Sequence, residues 1–142
     1  MEASAVQQVL DRYYAVLNAH DLDGIAGVVT DDVVFDDDYV PDTVFRGAAE
    51  FRSVFEGMWF AFPDWKLEIL RGPFFAAGTS QCAVHGRITG TVANPVPDWG
   101  FTNVGGKLEL EFIAVYEVEG DRMSYVRVCL NPAIAVRQVA TT

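Results

Sequence analysis

The ten residues from Leu108 to Glu117 alternate without a break, with Leu108, Leu110, Phe112, Ala114 and Tyr116 on one parity and Glu109, Glu111, Ile113, Val115 and Glu117 on the other. A period of two held that long fits a β-strand with one apolar face buried and the other facing out. Such a strand needs partners, and three further β-rich runs supply them: Trp65 to Leu70, Gln81 to Val92 and Arg122 to Leu130, separated by Gly, Pro and Asp. The N-terminal half is periodic in a different way. Val6, Val9, Leu10, Tyr13, Val16 and Leu17 fall at steps of three and four and predict a helix from Ala3 to Ala19. Asp21 to Val29 reads as a second, short helix with Asp21 as its cap. A strand carrying Val33, Phe35, Asp37 and Tyr39 on one face follows, then a loop from Val40 to Arg46. Gly47 opens a third helix with the stripe Phe51, Val54, Phe55, Met58, Trp59 and Phe62. The expectation is one α+β domain over residues 1–142, a curved antiparallel sheet with three helices covering its concave face. Between the layers a conical cavity should remain, a natural small-molecule site.

Length and charge narrow what that cavity serves. A chain of 142 residues buries roughly two-thirds of its unfolded surface, enough for a core with a pocket in it. The formal net charge of -10 argues against nucleic acid and anionic lipid as partners, since both call for a basic face. No apolar run approaches a membrane span, and the first residues lack a basic stretch followed by an apolar one, so a cytoplasmic protein is expected. Cys82 and Cys129 form no CxxC and are joined by only two histidines in the whole chain. Two reduced, buried thiols are expected, with no metal site and no cofactor.

Asp37 is the one polar residue in the row Val33, Phe35, Asp37 of an otherwise apolar strand face. A carboxylate held in an apolar cavity has its charged form disfavoured and gains strength as a base toward a carbon acid. The run Asp36, Asp37, Asp38 also reads as a solvated acidic turn at a strand end. Tyr13, on the buried stripe of the first helix, is either a core residue or a hydroxyl donor facing Asp37. Trp59, Phe62, Phe112 and Tyr116 are the aromatic residues expected to hold a substrate, and Asn131, just past the last strand, is a candidate donor at the cavity mouth. His85 and Arg127 alternate outward, Arg127 as a cross-strand partner for the glutamates between Glu109 and Glu117. The long segment from Ala93 to Gly106 is expected to form a functional rim.

Three stretches carry a resemblance. They are the run from Asp11 through Tyr13, Tyr14, Asn18, His20 and Asp21 into Thr30-Asp31-Asp32-Val33-Val34-Phe35-Asp36-Asp37; Phe45-Arg46-Gly47 leading into a helix that ends Phe62-Pro63-Asp64; and Ser124 to Leu130 with Arg137-Gln138 beyond. Together they resemble the NTF2-like superfamily, and within it the ketosteroid isomerases and the SnoaL-like polyketide cyclases. The resemblance implies a homodimer, a tyrosine at Tyr13 that donates to a developing enolate oxygen, and a general base at Asp37. It also marks departures. The isomerases share the oxyanion between that tyrosine and a protonated aspartate on the penultimate strand, and the cyclases place a histidine there; this chain has Ala114, and Tyr116, one inward step away, is either a replacement donor or a packing residue. The cyclases' acidic residue on the last strand falls at Val128, and Asp38 stands where the isomerases have proline after the base. The implied function is an isomerase or cyclase that needs no cofactor and acts by general acid-base catalysis on a hydrophobic polyketide-, steroid- or terpenoid-like carbonyl compound. A pocket that templates a spontaneous cyclisation, and a non-catalytic small-molecule binding or interaction module, are the alternatives.

Overall fold

A computed structural model describes residues 1–40 and 42–140. Along the chain run α1 (Ala3–Asn18), a 3-10 turn (Ile25–Gly27), β1 (Val29–Asp37), β2 (Val44–Arg46), α2 (Ala48–Ala61), β3 (Lys66–Phe75), β4 (Gln81–Thr91), a second 3-10 turn (Pro97–Trp99), β5 (Lys107–Glu119), β6 (Arg122–Cys129) and α3 (Pro132–Val139). The six strands form one sheet in the order β2-β1-β6-β5-β4-β3. Three helices and one sheet make the expected α+β fold, with differences in detail. Every neighbouring pair is antiparallel except β1 and β6, which run parallel, so the sheet is mixed. The helix expected from Asp21 to Val29 is reduced to one 3-10 turn: Asp21 Oδ1 accepts from the Gly24 amide at 3.0 Å, and Val28 and Val29 lead directly into β1.

The third helix is instead α3, beyond the last strand. Asn131 caps it, accepting from the Ala133 amide at 3.0 Å, and Pro132 occupies the first turn, where a missing N–H costs nothing. Pairing of β5 with β6 reaches Ile113 and Cys129 and goes no further toward Lys107. There Gln138 of α3 takes over the open edge, donating to the Glu109 carbonyl at 3.0 Å and accepting from its amide at 2.9 Å. The side-chain amide thus satisfies backbone groups that a neighbouring strand would otherwise satisfy.

β5 shows the alternation read from its sequence: Leu108, Leu110, Phe112, Ala114, Tyr116 and Val118 are buried. On the outer face Ile113 and Val115 are 48% and 38% exposed. The helices α1, with Val6, Val9, Leu10, Tyr13, Tyr14 and Leu17 buried, and α2, with Phe51, Val54, Phe55 and Trp59 buried, cover the inner face. α1 packs on β3 and β6, and α2 on β1 and β2. The segment expected as a loop between β1 and α2 contains β2, which pairs with Val34 to Asp36. The 93–106 segment closes one end: Phe101 is buried edge-on against Phe62 at 4.7 Å, and the Ala93 amide bonds the last carbonyl of α2 at 2.9 Å. Both cysteines are free, but only Cys82 is buried; Cys129, at the outward end of β6, is exposed. No helix among the described residues is long and apolar enough to cross a membrane.

Candidate functional site

A cavity lies between the inner sheet face and the two N-terminal helices. α1 contributes Tyr13 and Leu17 to its wall, β1 Phe35 and Asp37, and α2 Val54, Phe55 and Met58. Trp65, Leu67, Ile88, Phe112, Tyr116 and Val128 complete it. In this form its volume is about 40 Å³, small beside the pockets of about 300–1,000 Å³ that hold organic ligands. A larger concavity of about 510 Å³ opens to solvent beside α3, around Arg87, Glu109, Glu111 and Gln138. Its one cation, Arg87, is paired with Glu109 at 3.7 Å and with Glu68 outside the concavity at 2.6 Å.

Two of the three consecutive aspartates are turned away from the cavity. Arg127, opposite Asp36 on β6, donates from Nη2 to Asp38 Oδ1 at 2.7 Å and lies 3.6 Å from Asp36 Oδ2 through Nε. The expected glutamate partners are not its partners, because Val115 is the residue opposite it on β5. Asp37 alternates inward between these two and lies at the rim, with one carboxylate oxygen accepting from the Tyr39 amide at 2.8 Å. Burial raises its pKa from 3.8 to about 6. The Tyr39 N–H and the Arg127 charge pull it down, while Asp38 and Asp36 push it up, so burial wins.

Tyr13 faces the same space from α1. Its hydroxyl has no hydrogen-bond partner among the described residues, and burial first, then Tyr14 and Asp37, hold its pKa well above 10.0. It therefore remains a neutral phenol, a donor without an acceptor, in a wall that also holds a carboxylate. Tyr116 lies edge-on to Tyr13, ring centroids 5.6 Å apart, and its hydroxyl is bonded to that of Tyr14 at 2.7 Å. Ala114 and Val128 leave the two remaining inward positions apolar.

Of the residues singled out in the sequence, Tyr13, Asp37, Phe112 and Tyr116 meet at the cavity, and Trp59, Phe62 and Asn131 do not line it. Trp59 stacks flat on His20, centroids 4.8 Å apart and 3° from parallel. Phe62 points into the packing around Phe101, and Asn131 is used as the cap of α3. His85 is on the outer face, between Arg71 at 3.1 Å and Glu111 at 3.3 Å. The wall residues Phe35, Phe55, Trp65 and Val128 were not singled out as site residues. Phe35 carried a signal, since it precedes Asp37 in the same strand row.

A family model described as the SnoaL-like domain matches residues 10–126. No curated protein matches the chain. Among solved structures, a candidate polyketide cyclase from Pseudomonas putida KT2440 is 21% identical with a TM-score of 0.77, covering 95% of this chain and 98% of that one. A candidate SnoaL-like polyketide cyclase from Jannaschia sp. CCS1 is 10% identical with a TM-score of 0.81, covering 98% and 94%. An LEH-like epoxide hydrolase from M. tuberculosis is 15% identical with a TM-score of 0.72, covering 96% and 90%. At these identities the likeness is one of fold, and the chemistry has to be argued from the site.

Proposed function

This chain belongs to the SnoaL-like domain family, and from that premise we propose that it is an enzyme, an isomerase or cyclase moving a proton on a hydrophobic carbonyl compound. The substrate class is a polyketide-, steroid- or terpenoid-like ketone with an acidic α C–H. Asp37 takes that proton, the C–H electron pair becomes the enolate double bond, and Tyr13 donates to the oxygen on which charge develops. Isomerisation returns the proton from Asp37 to another carbon of the same skeleton; in cyclisation the enolate carbon attacks a second carbonyl, whose π pair moves to its oxygen, and that oxygen takes the proton held on Asp37.

The observation that carries this reading is the pairing of a carboxylate raised to about 6 with an unpartnered phenol in one apolar wall. A solvated acidic turn would leave all three aspartates alike, whereas Arg127 binds Asp36 and Asp38 and leaves Asp37 inside. Ligand pockets hold about 300–1,000 Å³, so substrate must part the walls of a cavity of about 40 Å³. Met58, a long unbranched side chain on α2, is suited to moving aside. The same reading includes one domain, a homodimer through the outer sheet face and action in the cytoplasm.

Incorporation of solvent deuterium at the α-carbon of a panel of apolar ketones, β-tetralone and a β,γ-unsaturated steroid ketone among them, tests the reading. Exchange should be catalysed, should fall about 10²- to 10⁴-fold in Asp37→Asn, and should fall about 10²- to 10³-fold in Tyr13→Phe. Full turnover of an accepted substrate by Asp37→Asn would instead favour a wall that only folds its ligand.

A further inference from the structure

Ala114 leaves the expected second oxyanion donor missing, yet the same inward row of β5 carries a phenol two residues on. We propose that Tyr116 is that second donor, placed beside Tyr13 on the cavity wall, and that Tyr14 is the positioning residue that orients its hydroxyl. The inference rests on the enolate chemistry proposed above and adds to it which groups hold the oxygen.

Three observations lead to it. Tyr116 is 2% exposed and lines the cavity with Tyr13 and Asp37, whereas Tyr14 is not part of that wall. The Tyr116 and Tyr13 rings meet edge-on at 5.6 Å and 65°, so both phenols belong to one side of the space. The Tyr116 and Tyr14 hydroxyls are 2.7 Å apart, and either can be the donor.

Proton counting then decides what the pair can offer. Two hydroxyls joined by one hydrogen bond hold two protons, one bridging and one free. With Tyr14 donating to Tyr116, the free proton is on Tyr116, the member at the cavity. An O–H that already accepts a hydrogen bond is a stronger donor, because linked hydrogen bonds polarise one another. Burial raises all three phenols above their ordinary range, so none loses its proton to the base.

The step balances within the site. The α-proton moves to Asp37, the C–H pair forms the carbon–carbon double bond, and the carbonyl π pair moves to oxygen. That oxygen accepts from Tyr13 and Tyr116 without either proton being transferred. The substrate class this favours is a ketone whose carbonyl enters first, toward α1 and β5, with its apolar body toward α2.

The test uses 2-naphthol, a flat apolar ring system with an enolate-like oxygen, and naphthalene as the same shape without it. Asp37→Asn protein is the background, because its neutral amide resembles Asp37 after it has taken the proton. Fluorescence separates bound naphthol from bound naphtholate and gives the pH at which the bound molecule ionises. Bound naphthol should ionise at lower pH than free naphthol. Adding Tyr116→Phe should raise that pH by about one unit, a tenfold loss of naphtholate preference, and Tyr14→Phe should raise it by less. Naphthalene affinity should stay within twofold throughout.

Several results would overturn the inference. One is an unchanged ionisation pH in Tyr116→Phe while Tyr13→Phe shifts it, which leaves the proposed function standing. Equal losses for naphthol and naphthalene would make Tyr116 a packing residue only. Failure of both compounds to bind would remove the proposed pocket and this inference with it. Since Tyr116→Phe could fail to fold, the Tyr116-containing protein gives a second reading. Its naphtholate complex should show two strongly downfield hydroxyl proton resonances, and one alone would mean a single donor.

Discussion

An aspartate in an apolar wall has its charged form disfavoured, and the direction of that shift has a consequence for stability. Asp37 has a native pKa of about 6 against an ordinary 3.8. Between those values the native state binds more protons than the unfolded chain, so stability falls as pH rises through the window. Above about pH 6 the ionised carboxylate costs about 2 kcal/mol, allowing for water at the rim. Asp37→Asn removes the charge and keeps an oxygen that can accept from the Tyr39 amide. Urea unfolding should therefore find the variant equal to the parent near pH 3.5 and more stable by about 2 kcal/mol at pH 7.5. Equal stability at both pH values would mean that the carboxylate is solvated.

At the scale of elements, the wall depends on one close approach between strands. Gly86 of β4 lies opposite Phe112 of β5, and a Cβ there would run into the Phe112 ring and come within 2.9 Å of the Glu68 carbonyl. Gly86→Ala should cost about 1–3 kcal/mol by overpacking and push Phe112 into the cavity. Denaturant unfolding reads the first effect, and weaker naphthalene binding reads the second. Which parts of this layer were legible in sequence follows from what periodicity reports. The alternation of β5 gave its faces correctly, because one face is buried along its whole length. The stripe of α2 gave a face but no position along the axis, so Trp59 and Phe62 were grouped with residues that line the cavity although they pack on His20 and Phe101. The parallel pairing of β6 with β1 leaves no trace in either strand's own pattern. α3 was missed because eight residues starting at a proline carry a weak helical signal, even though Asn131-Pro132 is a cap followed by a first-turn proline. Asp37 was legible because a polar residue in an apolar row is a local anomaly; the Tyr14–Tyr116 bond joins residues 102 positions apart and was not.

The outer face of the sheet bears on the whole molecule. It exposes Ile113 and Val115 between charged residues, and a second copy of the chain would cover them. Each copy carries a formal charge of -10, so association works against net repulsion that salt screens. Light scattering should give a mass near twice the 15.6 kDa of one chain at micromolar concentration, with the dimer strengthened by added salt. Ile113→Lys should shift the mass toward the monomer. A parent protein that stays at 15.6 kDa in high salt would contradict the dimer.

Everything proposed for the site depends on Asp37 being a part-buried carboxylate at the cavity rim with its pKa raised to about 6. Carbon-detected NMR of the aspartate carboxyls through a pH titration, with Asp37→Asn assigning the resonance, measures that property without a substrate. The Asp37 carboxyl should titrate near pH 6. A midpoint near pH 4 for Asp37 would place it in solvent and contradict the proposed base.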